Sequence, residues 1–122
     1  MQIKTISFFI AAIFFAAFSR SQTKVSIDSI SSHIGDSITV CSKVFSTRYL
    51  DRSNRQPTFL DLGADYPNSL LTVVIFGDNR QKFTGFPEVL YANKNICITG
   101  KLQDFKGRPE IIVTTPEQIK AQ

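Results

Sequence analysis

The sequence predicts an all-β domain, five strands forming a Greek-key barrel with one short helix between the third and fourth. Three observations predict it. Segments in which apolar, β-branched and aromatic residues alternate with polar ones recur between turn signals. Only one helical stretch interrupts them, whereas a parallel sheet requires a helix after nearly every strand. About 100 residues remain once the N-terminal segment is set aside, enough for one modest core.

That N-terminal segment has its own chemistry. Lys4 and the amino terminus are followed by the uncharged run Ser7–Phe18, then by Ser19, Arg20 and Ser21. A positive start, an apolar stretch and small residues at its end predict a signal peptide over residues 1–21, cleaved after Ser19 or Ser21. Only 15 residues separate Lys4 from Arg20, short of the roughly 20 that span a bilayer, so no transmembrane span is expected after cleavage. No cysteine directly follows the run, which sets the lipid-anchored class aside. The domain of residues 22–122 is therefore expected to be periplasmic or secreted. Counted from Gln22, 12 of the 14 basic residues remain against 10 acidic ones, and the net charge falls from +4 to about +2. So small an excess is weak support for a polyanion partner.

The elements follow in order. Ile27, Ile30 and Ile34 have helical spacing and stop at Gly35, predicting a short amphipathic turn. Asp36–Phe45 alternates, with Ile38, Val40, Ser42 and Val44 on one face and Thr39, Cys41, Lys43 and Phe45 on the other. Ser46–Pro57 is polar and reads as an exposed loop with a mobile tip. Thr58–Leu62 is a short strand ended by Gly63, and Ala64–Asn68 is turn chemistry. Leu70–Phe76 is the strongest central strand and Gly77-Asp-Asn closes it. Pro87 starts a helix running to about Tyr91. Asn95–Leu102 alternates again, with Ile96, Ile98, Gly100 and Leu102 inward. Asp104–Gly107 is a hairpin turn, Arg108–Thr114 its partner strand, and Pro116–Lys120 a closing segment.

No recognised catalytic pattern is present: the sequence lacks G-x-S-x-G, H-E-x-x-H, a phosphate loop and a dinucleotide glycine motif. His33 beside a helix-ending glycine suits a cap or surface role. Asp61, Asp65, Asp78, Asp104 and Glu110 are scattered, with nothing to bring two of them to one cleft. Two cysteines and one distant histidine have no metal-ligand spacing. A non-enzymatic chain without cofactor or metal is the expectation.

Strand, long loop, strand, strand, short helix, strand, tight hairpin, strand is the order of the OB-fold barrel. The chain also resembles the OB-fold nucleic-acid-binding domains found as small exported bacterial proteins and as appendages to secreted nucleases. The residues that carry the resemblance are Ile34-Gly35-Asp36, Val40-Cys41-Ser42-Lys43-Val44, Pro57–Gly63 with Tyr66-Pro67, Val73–Phe76, Ile98–Leu102 and Arg108–Ile112. It covers roughly Ser26 to Ile119. Ser42 departs from it, standing where related sequences place Gly; Gly100 keeps the equivalent fourth-strand position.

The resemblance implies a ligand face flanked by the first-to-second and fourth-to-fifth strand loops, Arg48–Arg55 and Asp104–Arg108. Phosphates want cations and unpaired bases want flat π surfaces. The candidate basic residues are Lys43, Arg48, Arg52, Arg55, Lys101, Lys106 and Arg108; the aromatic ones are Tyr49, Phe59 and Phe105. Two readings of Lys43 and Lys101 stand: they line a basic face continuous with both loops, or they are solubilising charges on a barrel wall. Phe105 at a hairpin tip is either a stacking residue or folds back over the barrel end. Cys41 and Cys97 point outward on strands that pair antiparallel in such a barrel, so a structural disulfide is expected. The implied partner is single-stranded nucleic acid with little sequence preference. The rivals are a secreted or envelope protein, a small ligand such as an oligosaccharide or peptide, and a structural accessory role beside a secreted enzyme.

Overall fold

One long strand organises the barrel by serving two sheets. The computed structural model describes residues 23–122; the expected signal peptide lies outside them. β1 (Thr23–Val25) is followed by a 3₁₀ turn over Ile27–His33 and by β2 (Ser37–Tyr49). The first half of β2 pairs antiparallel with β5 (Asn95–Phe105), from Ser37↔Lys101 to Lys43↔Asn95. Its second half pairs antiparallel with β3 (Thr58–Leu62). The register jumps from Val44↔Leu62 to Ser46↔Asp61, so Phe45 is an inserted bulge residue. Such a bulge bends a strand, which lets β2 leave one sheet and join the other.

β3 pairs with β4 (Leu71–Ile75), β4 runs parallel to β6 (Arg108–Ile112), and β6 returns antiparallel to β5. With β2–β5 closing the circuit, these five strands form an all-β OB-fold barrel. Between β4 and β5 lie two single helical turns, α1 (Gly77–Arg80) and α2 (Pro87–Leu90), the latter with Pro87 in its first turn. Inside the barrel, Ile38, Val40, Val44, Leu60, Leu62, Leu71, Val73, Ile75, Ile96, Ile98, Leu102 and Ile111 are wholly shielded from water. They are the alternate residues of every strand, which is why period-2 patterning sufficed to predict them.

Several elements differ from the sequence expectation. β2 continues to Tyr49, so Arg48 and Tyr49 stand on a strand and the loop begins at Leu50. The bulge at Phe45 breaks the count of two, and the outward positions beyond it carry Ser46 and Arg48. Gly77–Arg80 forms a helical turn instead of merely ending β4. The hairpin is a two-residue loop, Lys106-Gly107, with φ of 52° and 83°. Positive φ at both positions gives the type I′ turn that matches strand twist. Phe105 is consequently the last residue of β5, paired with Arg108. Two short strands also join the barrel: β1 runs parallel to β2, and β7 (Ile119–Ala121) runs antiparallel to β5.

Ser42, in place of the expected glycine, is used. Its hydroxyl accepts from the Gly63 amide at 3.2 Å and donates to the Lys43 carbonyl at 3.0 Å, tying β2 to the end of β3. Cys41 and Cys97 are register partners on the outside of the β2–β5 pair and are joined in a disulfide.

Candidate functional site

The outward residues of the sheet β2–β3–β4–β6–β5 build one shallow groove. Val44, Leu60, Leu62, Leu71 and Val73 go inward, so Arg48, Phe59, Asp61, Thr72 and Glu110 are left on the outer side. A depression of about 200 Å³ there is lined by Arg48, Phe59, Tyr66, Thr72, Phe105, Arg108 and Glu110. The Lys106-Gly107 hairpin stands at one end of these strands. The Leu50–Pro57 loop stands at the other, since Thr58 pairs with Ile75 and Leu62 with Leu71.

Arg48 occupies the centre. Its guanidinium carbon lies 3.6 Å from the Tyr66 ring centroid and 4.7 Å from that of Phe59. Beneath it, the carboxylate of Asp61 is fully buried, with an oxygen 3.8 Å from Arg48 Nε. Asp61 also accepts from the Ser46 hydroxyl at 2.9 Å, and Thr72 Oγ1 lies 3.5 Å away. Ser46 Oγ in turn accepts from the Tyr66 amide at 3.0 Å, which fixes the loop that carries the ring. A buried charge is costly unless paired and hydrogen-bonded, so this network sets where the Arg48 fork can point.

Arg108 closes the hairpin side. It donates to the Pro67 carbonyl at 2.6 Å and lies 5.4 Å from the Tyr66 ring. Phe105 is 52% exposed, so its ring faces solvent beside the groove instead of folding back. Lys106 Nζ lies 5.4 Å from the Phe105 ring. Glu110 accepts from Gln103 at 2.8 Å. The groove therefore offers two guanidinium groups and three rings, but Asp61 and Glu110 nearly offset the charge.

The sequence-derived candidates divide by position. Arg48, Phe59, Phe105 and Arg108 meet in the groove, with Lys106 on the hairpin at its end. Arg52 is exposed in the far loop. Arg55 is turned away, its guanidinium 3.7 Å from the Phe76 ring and its carbonyl accepting from the Gly77 amide. Tyr49 stands on the opposite side of the strand from Arg48, under Arg80, whose guanidinium also lies 4.8 Å from Phe86 and bonds Glu88. It does not reach the groove, because neighbouring strand residues point to opposite faces. Lys43 and Lys101 lie on the outer side of the β2–β5 pair and are six register steps apart, so they form no continuous wall with the groove. Tyr66, Thr72 and Glu110 line the groove without being among the sequence-derived candidates. In sequence Tyr66-Pro67 is turn chemistry within the resemblance and Glu110 one of several scattered carboxylates; the Ser46 hydrogen bond places Tyr66, and the parallel pairing Thr72↔Glu110 joins the other two.

Among the described residues, no three His, Cys, Asp or Glu side chains converge as a metal site would. No helix among them is long and apolar enough to cross a membrane.

Comparison with known proteins supports the fold. No family model and no curated protein sequence matches the chain. Among solved structures it is similar to yeast Stn1 and Ten1, with a TM-score of 0.59, 17% identity, and coverage of 87% of this chain and 65% of that one. It is similar to the aspartyl-tRNA synthetase of Entamoeba histolytica, with a TM-score of 0.57, 16% identity, and coverage of 85% and 22%. A protein designated an aspartyl-tRNA synthetase from Leishmania major Friedlin gives a TM-score of 0.52, 12% identity, and coverage of 87% and 22%. The chain thus spans about a fifth of the length of each synthetase.

Proposed function

We propose that this chain is a non-enzymatic, exported binding module that takes single-stranded nucleic acid along the outer groove. The observation that carries the reading is the Arg48 fork stacked between Phe59 and Tyr66, with Phe105 exposed alongside and Arg108 at the hairpin. Rings and guanidinium planes are surfaces on which unpaired bases stack without sequence readout. Two of the similar structures bear the name of an enzyme whose substrate is an RNA, which agrees with this use of the barrel. Export rests on the N-terminal sequence and agrees with a disulfide, which persists in oxidising compartments.

The groove's near-neutral charge favours a second reading, an oligosaccharide- or peptide-binding envelope module. Fluorescence anisotropy with labelled single-stranded DNA and RNA, at low and moderate salt, decides between them. Nucleic-acid binding weakens as salt rises because counterions are released. Phe105→Ala, which removes an exposed ring and leaves the core intact, is expected to lower affinity by about tenfold. Absence of binding at low salt by folded, oxidised protein eliminates the nucleic-acid reading.

A further inference from the structure

A second charged surface lies on the other half of the barrel, where β1, β2, β5 and β7 lie side by side. Lys24 is register partner to Thr39, Lys120 to Cys97, Lys101 to Ser37 and Lys43 to Asn95. Ile38, Val40, Val44, Ile96, Ile98 and Leu102 alternate with these positions and are buried, so all four lysines point outward. All four are exposed, and none forms an ion pair with a described residue. No Asp or Glu occurs within the paired segments 23–25, 37–43, 95–101 and 119–121. Asp36 and Glu117 sit beyond the strand ends, Asp36 beside His33.

We propose that this lysine face docks on the anionic phospholipid headgroups of a bilayer. The six register steps from Lys43 to Lys101 span about 20 Å along the strands. Its centre is the paired hydroxyls of Thr39 and Thr99, 2.8 Å apart, and the disulfide. That centre holds no ring on which a base could stack, the feature single-stranded nucleic acid requires. Lysine, a compact charge on a flexible stem, suits a fluid array of headgroups, whereas the arginine forks of the groove suit fixed geometry. Phe45 stands at the rim, 5.2 Å from Lys43 Nζ, as an apolar side chain placed to enter the interface.

Lysines on edge strands discourage strand addition. Lys43 and Lys101, however, stand on the two interior strands, where no edge needs protection.

The test is lysine acetylation of the domain of residues 22–122, read by mass spectrometry, with vesicles of phosphatidylglycerol in phosphatidylcholine against phosphatidylcholine alone. The expected result is protection of Lys24, Lys43, Lys101 and Lys120 by the anionic vesicles only, with Lys82 and Lys106 still labelled. The ratio of binding to the two vesicle types isolates the headgroup charge; Lys43→Gln and Lys101→Gln should each lower it about fivefold. An unchanged melting temperature keeps that comparison sound, since both side chains are external. Equal protection by neutral vesicles overturns the proposal, because headgroup charge then plays no part. Protection by oligothymidylate but not by anionic vesicles overturns it in favour of a nucleic-acid surface. No protection at all reduces the four lysines to solubilising charge.

Discussion

Arg48 is held by two rings above and a buried carboxylate below, so its planarity matters as much as its charge. A lysine would keep the charge but neither fill the slot between Phe59 and Tyr66 nor present a fork. Arg48→Lys is expected to lower stability by about 1 kcal/mol through the lost cation–π contacts, measurable as a shift in the urea midpoint at constant slope. An unchanged midpoint would mean the stacking contributes nothing to the fold. A second residue-scale expectation concerns Tyr91, which is buried and meets Phe83 edge-on with ring centroids 6.1 Å apart. Burial raises its phenol pKa above the usual 10. Because the folded state favours the neutral phenol, its contribution is intact below pH 10 and is lost as pH rises through the folded value. Absorbance titration at alkaline pH should show Tyr91 ionising above pH 10, together with falling stability.

At the scale of elements, the sequence was informative where structure is decided by neighbours. The Thr58–Leu62 strand, its stop at Gly63 and the helix beginning at Pro87 follow from alternation or from the φ that Gly and Pro allow, whereas the Cys41↔Cys97 pairing follows from the strand order of the barrel that the chain resembles. It was uninformative where distant residues decide. The second half of β2 exists because β3 offers it a ladder, and β1 and β7 are three-residue strands that only a preformed edge could recruit. The groove was half legible: arginines and phenylalanines announce themselves, but Tyr66 and Glu110 reach it only through a fixed turn and a parallel pairing. Gly100 shows an inward position with no room to spare. A Cβ there would come within 2.8 Å of Ile111 Cγ2 and 3.2 Å of Gln118 Nε2. Gly100→Ala is expected to cost about 1–3 kcal/mol by overpacking, seen as a lower urea midpoint. Full tolerance would show that β6 and the Pro116–Gln118 turn can give way.

For the whole molecule, closure depends on β2 meeting β5, and the disulfide fastens that meeting across 56 residues. In the chain-entropy account a cross-link over such a span is worth about 4 kcal/mol, less whatever the reduced chain retains. Reduction, or Cys41→Ser with Cys97→Ser, should therefore lower the urea midpoint strongly while the barrel is kept in native conditions. A reduced protein as stable as the oxidised one would place the closing energy in the seven-residue β2–β5 ladder alone.

The same closure also sets an order of events in time. β2 can zip onto β3 as soon as residue 62 is available, but its first half has no antiparallel partner until residues 95–101 arrive. Pairing across so many residues must meet the loop-closure cost before contacts repay it, which makes such barrels slow to fold. A chain emerging from its N-terminus thus carries Cys41 as an unmatched thiol until Cys97 follows, 56 residues later. The last strand pairs to form, not the first, decide whether that thiol finds Cys97 or a cysteine on another chain.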